Sequence, residues 1–507
     1  MPTPTFSLED RLQQLRAQGV HSVLTQFTDI LGQARGKLVP LAHVPQLIEE
    51  GAGFSGPSIW GTGLPRMGPR SEYFGRIVPE SLQALPWWPG VARAVCSGFA
   101  GGQVLDTCSR QLLISVLQGL QARGWTAWVG IEPEFFVFDN NLTDGLKPAD
   151  PTDQRTKPSY DLAVMQRQSV WLESLRGQLQ ALDFQLLQID HEDANGQWEV
   201  NYGFDEMLAA ADRYMLFKMT AQAVTAQHGM TFSGMPKPFA HAPGSGLHFH
   251  VSITDTHGHA VFADAQDPHG LSKQGQQFVA GLLHHAPALA AVCAPSVNSY
   301  KRLAATHSQS GTTWSPNLIA WGDNNRTALV RSVAGRLEWR LPDPSTNVYA
   351  ALAATLSAGL LGIDAALMPP PPMDEDLYTM SVAQQQQHQL RRLPADLGQA
   401  LQAFGQDHAL RQAMGTAFCA VYEEVKQEEW LEGNVLLDEI QLETLGKLGP
   451  YFTLPSTVEN ALKQTNPVGK LTNLKLTWKS KGNTLPQFAV HADFSGLGMS
   501  PYKTLSI

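Results

Sequence analysis

Three extended runs place groups able to bind metal ions or phosphate at every second position. In Gly130-Ile131-Glu132-Pro133-Glu134-Phe135-Phe136-Val137-Phe138 the two-residue period puts Ile131, Phe135 and Val137 on one face and Glu132 and Glu134 on the other. Gly246-Leu247-His248-Phe249-His250-Val251-Ser252-Ile253 sets His248, His250 and Ser252 opposite an apolar face. Arg336-Leu337-Glu338-Trp339-Arg340-Leu341 groups Arg336, Glu338 and Arg340. An ordinary solvated sheet face would carry Thr, Lys, Gln and Ser. These polar faces instead carry carboxylates, imidazoles and guanidiniums.

A fourth element is His191-Glu192-Asp193-Ala194-Asn195-Gly196-Gln197-Trp198-Glu199-Val200. Asn-Gly between extended runs predicts a hairpin with a two-residue type I′ turn. That register sets Ala194 opposite Gln197, Asp193 opposite Trp198 and Glu192 opposite Glu199. Two carboxylates facing each other repel unless one keeps its proton or a cation lies between them. Two readings follow: half of a metal site, or a solvated acidic hairpin. The inward candidates are then Glu132, Glu134, Glu192, Glu199 and Glu338 with His248. Hard oxygen donors and one nitrogen suit Mg²⁺ or Mn²⁺ more than zinc, and six ligands suit two ions. Arg302, Arg326, Arg331, Arg336 and Arg340 supply charge for a substrate carboxylate and a transferring phosphoryl group. No Walker A or dinucleotide glycine motif is present.

The elements that must position these groups follow from the rest of the chain. Its 507 residues are enough for at least two domains. Ser7-Leu8-Glu9-Asp10 reads as a cap and first helical turn rather than a signal peptide. Ser22 to Ile30 and Lys37 to Pro40 read as the hairpin of a small α+β domain, with a boundary near residue 105. Helices are predicted over Cys108 to Arg123, Leu162 to Leu182, Asp205 to His228 and Leu271 to Cys293. Val348 to Met368 is apolar enough to be weighed as a membrane span, but its small residues and Asp364 fit a buried helix better. Residues 453–507 are polar, locally basic and without an assignable role. Charged residues make up 16%, against roughly 25% in typical soluble domains, which predicts surface buried against copies of the chain. A net charge of −10 disfavours nucleic-acid and anionic-membrane partners. Four scattered cysteines predict free thiols and a cytoplasmic location.

Taken together, Gly130-Ile131-Glu132-Pro133-Glu134-Phe135-Phe136, His191-Glu192 with Glu199-Val200, Met235-Pro236-Lys237-Pro238, Gly244-Ser245-Gly246-Leu247-His248-Phe249-His250, Asn298-Ser299-Tyr300-Lys301-Arg302, Asn325-Arg326 and Arg336-Leu337-Glu338-Trp339-Arg340-Leu341-Pro342-Asp343-Pro344 resemble the glutamine synthetase family. The resemblance runs in order from about residue 20 to about residue 430. It implies an α+β fold: a β-grasp N-terminal domain over 1–105, a catalytic domain with a β-sheet funnel surrounded by helices over 106–452, and an extension over 453–507. It also implies a homo-oligomeric double ring with active sites between subunits. Glu134, Glu192 and Glu199 match the ligands of one metal, and Glu132, His248 and Glu338 those of the other. Arg326 and Arg340 match residues at the transferring phosphoryl group, with His250, Ser252, Arg331 and Arg336 toward ATP. Arg302 and Gly244 match the glutamate site. Asp29 matches the residue that takes a proton from the incoming ammonium, reaching in from a neighbouring subunit; the alternative for Asp29 is a turn residue. Tyr160 matches a tyrosine at the same pocket.

Departures from the family pattern bear on the acceptor. Where ordinary members carry a glutamate on the flap after Asn298-Ser299-Tyr300-Lys301-Arg302, residues 304–316 contain no acid. Pro243 replaces the usual asparagine of the glutamate loop, and Trp60, Trp314 and Trp321 add aromatic surface. Loss of an anion disfavours a small cation, and aromatic surface favours a bulkier amine; His307 is a candidate local base. The whole resembles the branch containing type III glutamine synthetases and the ligases that make γ-glutamyl amides of methylamine, isopropylamine or aniline. The expected function is ATP-dependent ligation of an organic primary amine to L-glutamate through γ-glutamyl phosphate. The alternatives are a glutamine synthetase using ammonia, a non-catalytic ring-forming relative, and a guanidino kinase.

Overall fold

The computed structural model describes residues 6–68, 70–141, 145–333, 335–441, 468–479 and 487–498. Two compact units divide the chain, Met1–Val425 and Lys426–Ile507. The architecture of the first is α+β. Its smaller sheet orders the strands Ala34–Pro40, Ser22–Thr28, Val91–Ala100, Glu72–Ile77 and Ala52–Ser55. Ser22–Thr28 runs parallel to Val91–Ala100 and antiparallel to Ala34–Pro40. Val23, Phe27, Ala92, Ala94, Tyr73 and Ile77 form the core beneath this sheet, with Leu12 and Leu15 of the helix Leu8–Ala17.

The larger sheet positions the chemistry. It orders Trp321–Asp323, Val330–Val333, Arg336–Trp339, Leu247–Asp255, Trp125–Asp139, Gln197–Tyr202 and Leu186–His191. All neighbours are antiparallel except the first pair. The expected alternation holds along the two central strands: Ile131, Phe135 and Val137, and Leu247, Phe249, Val251 and Ile253, are at most 2% exposed. The acidic and imidazole positions therefore lie together on the opposite side, a consequence of the pleat and the antiparallel register.

Helices cover the apolar side. Lys273–Cys293 and Val348–Asp364 pack so closely that a Cβ at Gly281 would lie 2.2 Å from the Ala358 carbonyl oxygen, and one at Gly359 would lie 2.1 Å from the Phe278 ring. Val348–Asp364 is buried along nearly its whole length, which is why it reads as uniformly apolar. Among the described residues no helix is long and apolar enough to cross a membrane. The stretch expected to be one helix from Leu162 to Leu182 is two, Leu162–Arg167 and Ser169–Ala181, interrupted at Gln168. All four cysteines are buried and free.

The second unit contains a three-stranded antiparallel sheet of Glu432–Gln441, Val468–Lys479 and Gln487–Gly498. Residues 442–467, 480–486 and 499–507 of the expected extension and its approach lie outside the described residues.

Candidate active site

Glu132 and Glu134 stand on the strand Trp125–Asp139, and His248 lies directly opposite Glu132 on Leu247–Asp255. His250 lies opposite Glu338 on Arg336–Trp339. The pairing brings His248 Nδ1 to 3.7 Å from Glu132, 3.8 Å from Glu134 and 3.6 Å from Glu338. His250 Nε2 approaches Glu132 Oε1 to 2.8 Å. One ligand atom from each of Glu132, His250 and Glu338 lies within 4.8 Å of the others. His250, read from the sequence as an ATP-side residue, thus shares this cluster with Glu132, His248 and Glu338, the three residues expected to form the second ligand set. Arg336 Nε donates to His250 Nδ1 at 3.2 Å and leaves the opposite ring nitrogen facing Glu132. Ser252 lies on the same polar face, half-buried, opposite Trp128.

The hairpin differs in register from the expectation. His191 opposes Trp198 and Asp190 opposes Glu199, while the Glu192 N–H donates to the Gln197 carbonyl at 2.9 Å. The pairing is shifted by two residues, so Glu192 is not opposite Glu199. Only Gly196 has positive φ, 75°, whereas a type I′ turn needs it at Asn195 as well. The physical reason is Asp153. Its carboxylate accepts from the Asn195 amide at 2.8 Å, the Gly196 N–H at 2.7 Å and the His191 ring at 2.9 Å. Asp153 fastens the loop in a wider form than the tight turn would have. A two-residue shift preserves the alternation, so Asp190, Glu192, Gln197 and Glu199 still share one face. Glu199 now stands directly opposite Glu134 on the neighbouring strand.

The electrostatics separate the two ligand sets. Burial first, and then the nearby charge of Glu134, push the Glu192 carboxyl up to about 8. Burial and the charge of Glu192 raise Glu199 well above the usual carboxylate range. Burial acts in the same direction on Glu338, but the charges of Arg340, His248, His250 and Arg331 together outweigh it and hold the carboxyl far below its ordinary value. The imidazoles of His248 and His250 likewise outweigh burial at Glu132 and hold it low. The residues fit divalent cations. Glu134, Glu192 and Glu199 are three crowded carboxylates, and burial with mutual repulsion pushes two of them toward the protonated form. His248 Nε2 is buried without a hydrogen-bond partner.

Around these sets stand the arginines. Glu338 is bonded by Arg331 Nε and by Arg340 Nη1, the latter at 2.7 Å. Arg340 Nη2 reaches the Trp314 carbonyl at 3.0 Å, and its Nε is buried without a partner. Arg302 is buried, donating to the carbonyls of Leu341 at 3.0 Å and Arg340 at 3.1 Å. Arg326 is exposed on a loop, and its charge reaches Tyr160. Tyr160 is 69% exposed with φ 61°, and it feels the charges of Glu192, Asp190 and Glu199.

Gly244 packs where a Cβ would lie 2.4 Å from the Pro236 carbonyl and 3.1 Å from Arg302 Cγ. Its own carbonyl accepts from Gln197 Nε2 at 3.2 Å.

The single chain does not place every expected residue at the acidic face. Asp29 Oδ1 accepts from the N–H groups of Leu31 at 3.1 Å and Gln33 at 2.9 Å, and Oδ2 accepts from Arg35 at 2.8 Å. Within one subunit it is a buried turn residue. Trp321 is buried with its N–H on the Pro370 carbonyl at 2.7 Å, a packing role. Trp60 and His307 are exposed.

Three residues escaped the sequence reading. Gln197 ties Glu134 (3.2 Å) to Ser245 (3.1 Å), and so joins the acidic strand to the glycine loop. Asp190 opposes Glu199 only in the true register. Asp193 accepts from Ser159, Ser310 and the Trp314 indole. Alternation alone would have found Asp190, which is two residues before Glu192.

Comparison with known proteins identifies the family of this fold. The description of the glutamine synthetase catalytic domain fits residues 106–445. A glutamate–methylamine ligase of Methyloversatilis universalis is 43% identical over 430 residues, which cover 84% of this chain and 96% of the relative. A glutamine synthetase of Rhizobium leguminosarum bv. phaseoli is 37% identical over 421 residues, covering 82% and 94%. Among solved structures, a GmaS/ADP complex superposes with a TM-score of 0.77 at 37% identity, over 83% of this chain and 95% of that one. Apo GmaS gives 0.76 at 35%, with the same coverage. With a matching catalytic domain over residues 106–445 and relatives covered almost from end to end, the chain belongs to the glutamine synthetase family.

Proposed function

We propose that this protein is an ATP-dependent ligase that joins an amine to the γ-carboxylate of L-glutamate through γ-glutamyl phosphate, and that it favours an organic primary amine over ammonia. The observation that carries the reading is the pairing of a complete acidic and imidazole face with a flap segment that contains no acid. The 43% identity to a glutamate–methylamine ligase supports it.

Glu134, Glu192 and Glu199 would hold one divalent cation, Mg²⁺ or Mn²⁺, and Glu132, His248 and Glu338, with His250 alongside, would hold the other. Such ions, when bound, offset charge on the phosphates of ATP and orient them. The chain's own residues do the rest. The buried, unpartnered Nε–H of Arg340 would donate to the charge that develops on the transferring phosphoryl group, and Arg326 would add its charge there. Arg331 and Arg336 stand on the ATP side, and Arg302 with the Gly244 loop holds glutamate. Glutamate's γ-carboxylate attacks the γ-phosphorus and ADP leaves; the amine then attacks the acyl carbon, and phosphate leaves. An amine attacks only as the free base. Asp190, beside Glu199 and Tyr160, is in position to receive the proton within the subunit, and Asp29 would serve from a neighbouring subunit.

The rest of the reading assigns residues 1–105 to a β-grasp domain, 106–452 to the catalytic domain and 453–507 to an extension. It places the protein in a homo-oligomeric double ring in the cytoplasm. A second reading, ammonia as acceptor, is favoured by the relatives named glutamine synthetase. Initial rates of phosphate release with ATP, glutamate and a panel of amines decide between them. A higher kcat/KM for methylamine or a larger amine than for ammonium is expected; equal or higher efficiency with ammonium overturns the preference.

A further inference from the structure

Asp193 lies in the hairpin between Glu192 and the turn, and it is 8% exposed. Its Oδ1 accepts from Ser159 Oγ at 2.7 Å; its Oδ2 accepts from Ser310 Oγ and from Trp314 Nε1, the latter at 2.8 Å. Three segments distant in sequence thus meet on one carboxylate. Among the described residues no cation pairs with it. A buried carboxylate held only by neutral donors is costly compared with an apolar packing of the same segments, so stability alone does not account for an acid here.

What it fixes is informative. The Trp314 carbonyl is held by Arg340 Nη2 at 3.0 Å, and the same guanidinium binds Glu338 at 2.7 Å. Trp314 therefore spans from the Glu192 side of the site to the Glu338 side. Its φ of 52° is a left-handed conformation that a bulky residue adopts only when its surroundings hold it. The residue remains 41% exposed. Ser159, bonded to the other oxygen, precedes Tyr160, the second exposed aromatic beside Glu192 and Glu199. The flap segment is fastened once more where the Gln309 N–H meets the His241 carbonyl at 2.6 Å. The acid missing from residues 304–316 is thus replaced by one on the hairpin, turned to hold the flap rather than to face the amine.

We propose that Asp193 is a positioning residue that clasps residues 304–316 across the mouth of the site and holds the Trp314 indole as a fixed aromatic wall, so that this clasp sets which amines are accepted. The inference rests on the amine-ligase reading. An indole face attracts the alkyl groups and the residual charge of an alkylammonium, and a wall discriminates by size only when it cannot move.

The test measures kcat and KM for ammonium, methylamine and isopropylamine, and the KM of ATP and of glutamate, in wild type, D193N, D193A, W314F and the double variant D193A/W314F. In D193A the methylamine KM is expected to rise about tenfold, the worth of one charge-assisted hydrogen bond. The methylamine-to-ammonium efficiency ratio should fall by a similar factor, with the KM of ATP and glutamate within about twofold. D193N keeps an oxygen acceptor and should recover most of the ratio. The double variant should be no worse than D193A, because both changes break one contact. If D193A does not fold, W314F, which removes the indole N–H together with part of the aromatic wall, carries the same loss of selectivity. Amine selectivity unchanged in D193A or W314F overturns the clasp, as does a fully additive double variant. A wild type that forms no amide with any of the amines instead overturns the ligase reading on which the clasp depends.

Discussion

Glu199 stands directly opposite Glu134 in the antiparallel ladder, with Glu192 on the same face of the hairpin. Carboxylates at that spacing repel, and burial adds to the cost. With the Glu192 carboxyl at about 8 in the folded protein, against 4.5 for a free glutamate, the folded state retains a proton that the unfolded chain has released. Stability contributed by this group is full below pH 4.5 and is lost as pH rises toward 8. In EDTA the melting midpoint should therefore fall between about pH 5 and pH 8, by an amount worth on the order of a few kcal/mol. Saturating Mn²⁺ should remove most of that slope. A flat profile in EDTA would exclude a crowded, cation-free carboxylate set.

Substitution of Glu192 or Glu199 by Gln relieves the same repulsion. Each variant should melt higher than wild type in EDTA at pH 8 and should show no Mn²⁺-dependent rise comparable to wild type. Turnover should be lost, because neutral amides are poor partners for the cation. Melting with and without Mn²⁺, alongside phosphate release, separates these effects.

Arg340 donates to Glu338 and to the Trp314 carbonyl, and its Nε–H is buried without a partner. Arg340→Lys keeps a charge but loses the rigid planar fork that reaches Glu338 and the Trp314 carbonyl while leaving a third donor free. A fall in kcat of about 10²- to 10³-fold is expected, the typical size for losing one preorganised donor to developing charge. Phosphate release at saturating ATP and glutamate measures it, and circular dichroism checks that the fold is kept.

Asp153 sets the hairpin register through Asn195, Gly196 and the buried His191 ring. Asp153→Ala leaves those donors unpaired and should cost about 3–5 kcal/mol, the range for breaking a buried charged network. Urea unfolding reads the loss. Mn²⁺ affinity should fall with it, since Glu192 and Glu199 flank the loop that Asp153 holds.

Gly244→Ala would put a methyl 2.4 Å from the Pro236 carbonyl oxygen and 3.1 Å from Arg302 Cγ, so the loop backbone must move to admit it. The glutamate KM is expected to rise at least tenfold while the ATP KM stays within about twofold. An equal rise in both would place the loop outside the glutamate site.

Much of this site is legible in the sequence because a strand's side chains alternate whatever surrounds them. Glu132 with Glu134, His248 with His250, and Glu338 with Arg340 could be assigned to shared faces before any strand was paired, and the apolar faces opposite them identified the buried side. The helix Val348–Asp364 was likewise legible as a buried core element from its uniform composition. Alternation is a local property and needs no long-range contact. Pairing is not local. The Asn195-Gly196 turn predicts one register, and Asp153, some forty residues earlier, imposes another. Glu199 consequently faces Glu134 and Asp190 rather than Glu192. The same holds for Asp193, Ser310 and Trp314, whose meeting depends on loops with no periodicity to read, and for Asp29, whose carboxylate is occupied within its own turn. The sequence by itself determined which chemical groups face one side of the sheet. The tertiary structure decided which of them meet, because hydrogen bonds between distant loops fix register and reach where local propensity does not.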